Sequence, residues 1–295
     1  MQGTIDGFSY GLVTPVAAFL MACLGGALGL RCAARYLRTA RPRKAGLLAL
    51  GAASIGSGVW TMHFIAMMGF AVSGTPVGYD RPTTFASLAV VIVMTGVGIL
   101  IVGHRGATPM ALVTGGTITG LSIATMHYLG MEGLRLHARI EYDTVTVALS
   151  VMIAVAAAIT ALWVITSYQG FPASLSACLM MGVAATGMHY TGMAAVHVRP
   201  DVLPGASEGV PAVEVLAPML VGPAVFLVLA GAVVLIDPLI VTGDPDGGPP
   251  ARAVAGQCGG EVPPQRMRPR PSSHEPAGRT AARSVWRDSP DLRDR

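Results

Sequence analysis

Met62-His63-Phe64-Ile65-Ala66-Met67, Met126-His127-Tyr128-Leu129-Gly130-Met131 and Met188-His189-Tyr190-Thr191-Gly192-Met193 are three versions of one hexapeptide. The histidines stand 64 and 62 residues apart. A glycine precedes each leading methionine by six residues: Gly56, Gly120 and Gly182. Recurrence at a fixed long period marks a repeated structural unit. On a helix, each histidine and the second methionine, four residues on, share a face. The glycine seven residues before the histidine lies on the same stripe, where a missing side chain admits a close neighbour. The leading methionine points about 100° away, to flank the same site or an adjacent one.

The surrounding chain is written for lipid. Of 295 residues, 52% are hydrophobic and 12% charged, about half the charge of a soluble domain. Mean hydropathy is +0.58. A bilayer core is crossed by about 20 apolar residues in a helix, and seven uncharged runs of that kind occur: 9–30, 46–70, 84–103, 110–131, 144–166, 173–196 and 215–236. The first is too long, and lacks the basic start, to read as a cleaved signal peptide. Each hexapeptide closes a pair of runs, so the expected fold is all-α: a polytopic membrane protein of three repeated helical hairpins (9–70, 84–131, 144–196) and a closing seventh helix. Hairpins that return to their starting side repeat around an axis along the membrane normal. The three histidines then share one depth and can meet near the axis.

Basic residues orient the bundle. Arg31, Arg35, Arg38, Arg41, Arg43, Lys44 and Arg105 lie after odd-numbered runs with no acidic residue among them. The other side mixes Arg81, Arg135, Arg139 and Arg199 with Asp80, Glu132, Glu141, Asp143, Asp201 and Glu208. Lysine and arginine favour the cytoplasmic side, which predicts a cytoplasmic (inner) membrane protein with its N-terminus out, its C-terminus in and the histidines toward the outer leaflet. Residues 237–295, rich in Gly, Pro and Arg, have no apolar stripe and read as a disordered cytoplasmic tail. Arg266, Arg268 and Arg270 in that tail could touch anionic headgroups. The basic charge is explained by orientation, so the lipid bilayer and not nucleic acid is the expected partner.

His63, His127 and His189 are the ionisable residues deep in the runs, and such residues face a bundle interior and mark function. Neutral imidazole is a metal ligand, and thioether sulfur selects soft ions, Cu(I) above all. Three histidines with Met62, Met126, Met188, Met67, Met131 and Met193, and no carboxylate, point to copper first. Haem with paired axial histidines is the competing cofactor. A lone Met-His pair is more often packing, since methionine fills gaps; three pairs at matched offsets shift the balance toward ligation. Tyr128 and Tyr190 carry less weight, because the interface favours tyrosine and Phe64 holds the equivalent place. Cys23, Cys32, Cys178 and Cys258 show no CxxC spacing. The sole lysine, Lys44, lies outside the runs, which rules out an intramembrane retinal Schiff base. No hydrolase triad, HExxH or phosphate loop occurs, and no catalysis is expected.

With its Met-His-Tyr phrases at 126–128 and 188–190, the chain resembles the MHYT-domain family of bacterial integral-membrane sensor proteins over roughly 11–236. The resemblance implies a sensory module that binds copper through Met62, His63, Met126, His127, Met188 and His189, with Met67, Met131 and Met193 as companions, and responds to oxygen, carbon monoxide or nitric oxide. The first copy departs from the pattern at Phe64 and Ala66. No cyclic-dinucleotide or kinase output domain is present, so a separate cytoplasmic signalling protein is expected as partner. A copper-handling transporter and a haem-binding redox protein are the alternative functions.

Overall fold

The computed structural model describes residues 5–6, 11–38, 44–72, 78–135, 138–168, 171–200 and 212–236. Seven helices answer the seven apolar runs: α1 Val13–Arg38, α2 Lys44–Met68, α3 Arg81–Arg105, α4 Pro109–Glu132, α5 Thr144–Ser167, α6 Phe171–Ala194 and α7 Ala212–Ile236. Among the described residues, α1 to α5 are each long and apolar enough to cross a bilayer. Large apolar side chains also face outward, among them Leu20, Val93, Met152, Val183 and Leu229. A helix that is apolar all round belongs in lipid or in a large core. The chain is a helical membrane protein. Arg41, Arg43, His137 and the tail at 237–295 lie outside the described residues.

Two helices overrun their apolar segments. Arg31, Arg35 and Arg38, expected in a connecting loop, form the last turns of α1, and His104 and Arg105 close α3. Basic side chains are favoured at helix C-termini by the macrodipole, and their long stems can reach polar surroundings from an apolar helix. Helix starts are set by capping. Asp80 accepts hydrogen bonds from the Thr83 amide (3.0 Å) and hydroxyl (2.6 Å), and Asp143 does the same for Thr146 (2.8 and 2.6 Å). Such caps satisfy amides that a helix N-terminus leaves unpaired. Thr83, helped by Arg135 at 3.1 Å, holds the Asp80 carboxyl down to a pKa of about 2. Because that value is depressed on folding, the cap is in place above the ordinary carboxylate range and is lost as pH falls toward 2.

Six short strands, not foreseen from the sequence, join the ends of the hairpins. β1 Ile5–Asp6 pairs with β2 Ala71–Val72, β3 Gly78–Tyr79 with β4 Leu134–Arg135, and β5 Ala138–Tyr142 with β6 Val196–Pro200, all antiparallel. In each case the strand before an odd helix pairs with the strand after the even helix of the same hairpin. The repeat is therefore strand, helix, helix, strand. The closures of the second and third repeats match in detail: Asp80 N–H donates to Gly133 O at 2.8 Å and Asp143 N–H to Ala195 O at 2.9 Å.

From α1 to α6 each helix packs on the next, and α6 returns to α1; α7 lies against α1 and α2. Glycines let the ring close. A Cβ on Gly56 of α2 would meet Ile92 of α3 at 2.6 Å, one on Gly120 of α4 would run into Val155 Cα of α5, and one on Gly182 of α6 into Cys23 Sγ of α1. Each even helix thus presses on the odd helix of the following repeat, in cyclic order. Polar side chains fasten the crossings. Thr95 of α3 donates to Ser122 of α4 at 3.1 Å, since the Ser122 hydroxyl is spent on Thr119 O. Arg38 of α1 donates to Ile165 O of α5 at 3.2 Å.

Within the first hairpin the approach is closest at Gly25 and Gly58, where a Cβ on Gly25 would stand 2.5 Å from Gly58 Cα and 2.7 Å from Ser54 O. Gly25→Ala must separate α1 from α2, and overpacking of this kind costs about 1–3 kcal/mol. Thermal unfolding in detergent is expected to show the loss. Gly187→Ala, whose added carbon meets nothing within 4 Å, should unfold at or above the parental temperature.

Candidate metal centre

The three motif histidines come from α2, α4 and α6 and meet inside the bundle. Their Nδ1 atoms form a near-equilateral triangle: His63 to His189 3.0 Å, His127 to His63 3.1 Å and His189 to His127 3.2 Å. All three side chains are buried. The rings stand edge to face, with centroids 4.9–5.1 Å apart. Among the described residues this is the one cluster of three His, Cys, Asp or Glu whose donor atoms converge closely enough for a metal ion.

Hydrogen bonding alone cannot satisfy such a triangle. A neutral imidazole nitrogen is either an N–H donor or a lone-pair acceptor. Of three nitrogens in mutual contact, at least two must be of the same kind, so one edge sets lone pair against lone pair or N–H against N–H. A shared cation removes the conflict by turning all three lone pairs to one use. The centre of the triangle lies about 1.8 Å from each nitrogen, against about 2.0–2.1 Å for a zinc–imidazole bond. The three nitrogens are spaced closely enough that His63, His127 and His189 would hold one small ion between them. The donor set therefore suits a small metal ion.

The far edges of the rings rest on the motif glycines of the next repeat. A Cβ on Gly130 would stand 2.7 Å from His63 Nε2, and one on Gly192 would stand 2.5 Å from His127 Nε2. The corresponding residue of the first copy is Ala66. Each histidine is also backed by the residue that follows it, at ring separations of 4.6 Å for Phe64, 4.8 Å for Tyr128 and 5.0 Å for Tyr190. Met62, Met126, Met188, Met67 and Met131 are fully buried in the same apolar core, and Met193 is partly buried against it.

All three histidines singled out from the sequence are brought together. Gly56, Gly120 and Gly182, on α2, α4 and α6, pack against the odd helix of the following repeat, away from the imidazoles. The Tyr128 hydroxyl is engaged with Ser150 at 2.6 Å. His104 and His197 lie at the end of α3 and in β6, outside this cluster. What sequence reasoning missed are the imidazole seats at Gly130 and Gly192. The available signal was a glycine three residues after each of two motif histidines.

Gly130→Ala drives a methyl group into the His63 ring. A stability loss of about 1–3 kcal/mol is expected, together with displaced His63 ring resonances in heteronuclear NMR. Unchanged resonances would show that the seat does not position the imidazole.

The model of a family described as a bacterial signalling protein N-terminal repeat, MHYT, matches residues 56–115 and 120–178. Both matches open on a motif glycine, Gly56 or Gly120, and the third copy, from Gly182, lies beyond the second match. The bifunctional diguanylate cyclase/cyclic di-GMP phosphodiesterase MucR of Pseudomonas aeruginosa is 33% identical over 63% of this chain and 28% of its own length. The cyclic di-GMP phosphodiesterase NbdA of the same organism is 32% identical over 66% of this chain and 26% of its own. The signalling protein YkoW of Bacillus subtilis is 28% identical over 65% and 24%. The chain thus spans about a quarter of the length of these relatives. No solved structure matches it. With two repeats matched by the family model and a third present in sequence and geometry, the helical part of the chain is built of MHYT repeats, the N-terminal repeats of bacterial signalling proteins.

Proposed function

We propose that this chain is a sensor of the cytoplasmic membrane whose three histidines hold a copper ion inside the bundle. The observation that carries the reading is the Nδ1 triangle of 3.0–3.2 Å, a contact set that makes chemical sense around a shared cation. His63, His127 and His189 are the ligands, and the buried thioethers of Met62, Met126, Met188, Met67, Met131 and Met193 give the soft surroundings that favour Cu(I) over zinc. Tyr128 and Tyr190 support the rings edge-on. Haem suits the geometry less well, since nitrogens in mutual contact leave no gap for a macrocycle. When bound, copper supplies an electron-rich centre that responds to a diatomic gas (O2, CO or NO) or to copper and redox state.

The basic residues that end α1 and α3 support seven crossings with the N-terminus out, the C-terminus in and the strand-bearing end outside. The signal is then a change in helix packing, with the ligand favouring one arrangement over another. Two of the relatives are named for making or degrading cyclic di-GMP, and this supports an output of that class in a cytoplasmic partner. The chain itself is read as non-catalytic.

Copper-loaded, dialysed protein in detergent is expected to retain about one copper per chain by elemental analysis, and His63→Ala, His127→Ala and His189→Ala to fall to background. A wild type that retains none sinks the proposal. Orientation is tested separately: alkaline phosphatase fused within 73–77 should be active, and fused at Gly106 inactive.

A further inference from the structure

Beneath the histidines lies an apolar cavity of about 30 Å³ to which every helix of the ring contributes. Its wall repeats. Ile55, Thr119 and Met181 each immediately precede the glycine of their copy, and Leu30, Ile99 and Leu162 each lie two turns beyond the residue that glycine touches. Each trio is one position taken three times, so the cavity sits on the pseudo-threefold axis. Ile123 and Ala185, also in the wall, stand four residues before His127 and His189, one turn or about 6 Å along the helix. The space exists because α5 and α6 turn alanines toward it, Ala154, Ala158, Ala161 and Ala185 among them.

The chemistry of the wall selects the occupant. About 10–15 Å³ of such volume admits one water, but a buried water needs two to four hydrogen-bond partners. Thr119 brings the only hydroxyl in the wall, and its Oγ1 is buried with no hydrogen-bond partner. Apolar cavities of this kind stay dry and take up apolar guests such as xenon. We infer that the cavity is a holding site for one small apolar gas molecule of diatomic size, one helical turn from the histidines. Its purpose rests on the sensor reading above, while its existence does not involve the metal. Apolar gases dissolve in the bilayer core, and the half-buried Ala157 and Ala184 at the cavity's edge put only small side chains in the way.

The test is xenon-129 NMR on the purified full chain in detergent, with Ala158→Val in the same detergent as reference. Two added methyl groups fill most of the space. The wild type should show a saturable xenon shift that Ala158→Val reduces at least fivefold, and Ile123→Ala, which enlarges the cavity, should take up more xenon than wild type. Identical titrations for wild type and Ala158→Val overturn the inference. Should Ala158→Val fail to fold by circular dichroism, uptake by Ile123→Ala no greater than wild type overturns it instead. Xenon uptake in a chain that retains no copper would sink the metal and spare the cavity; copper retention without xenon uptake would do the reverse.

Discussion

Three ring nitrogens in mutual contact, which no arrangement of their own protons can satisfy, are the constraint on which the rest of this structure depends. To hold them there, three helices must reach one depth, turn one face inward and approach more closely than ordinary side chains allow. The glycines supply the approach twice over. Gly56, Gly120 and Gly182 bring each even helix onto the next odd helix, and Gly130 and Gly192 make room for the imidazoles themselves. The aromatic residue after each histidine fixes the other side of its ring. An apolar core, with no carboxylate among its described buried residues, completes the setting, because a charged competitor would offer the ion, or the protons, another partner.

The repeats are interlocked, which bears on signalling. Each even helix rests on the odd helix of the following repeat, and the ring closes from α6 to α1. A shift of one imidazole is therefore felt by the seat in the next repeat. Packed interfaces of this kind tend to switch between discrete arrangements. At the end away from the strands, Arg38 ties α1 to the last turn of α5 through Ile165 O, so a change in the spacing of the odd helices has a polar contact there to break or remake.

Much of this was legible in the sequence, for reasons that can be named. Uncharged runs of bilayer length report helices directly, and three hexapeptides at equal offsets report a repeat whose like faces converge. Helix ends were less legible, because Arg31, Arg35 and Arg38 are hydrophilic yet remain helical. The strand pairs were not legible at all: ladders of two to five residues are too short for an alternating pattern. The seats at Gly130 and Gly192 are long-range contacts between copies, and a motif read one copy at a time does not reveal them.

The first copy's departures are accounted for by what the phenol does in the second. Ser150 spends its hydroxyl on Val147 O, so Tyr128 donates to it and ties α4 to α5, outside the nitrogen triangle. Ser87, which like Ser150 lies seven residues after its capping aspartate, donates to Thr84 O. With Phe64 in place of tyrosine, Ser87 instead accepts a hydrogen bond from Trp60 Nε1 at 3.1 Å. The fastening between α2 and α3 is kept while its donor moves one turn along the helix. In these two copies, then, the aromatic hydroxyl is a helix fastener that another residue can replace, whereas the imidazole has no substitute in any of the three. The pattern of what varies and what does not follows the division between holding the helices together and holding whatever the three nitrogens share.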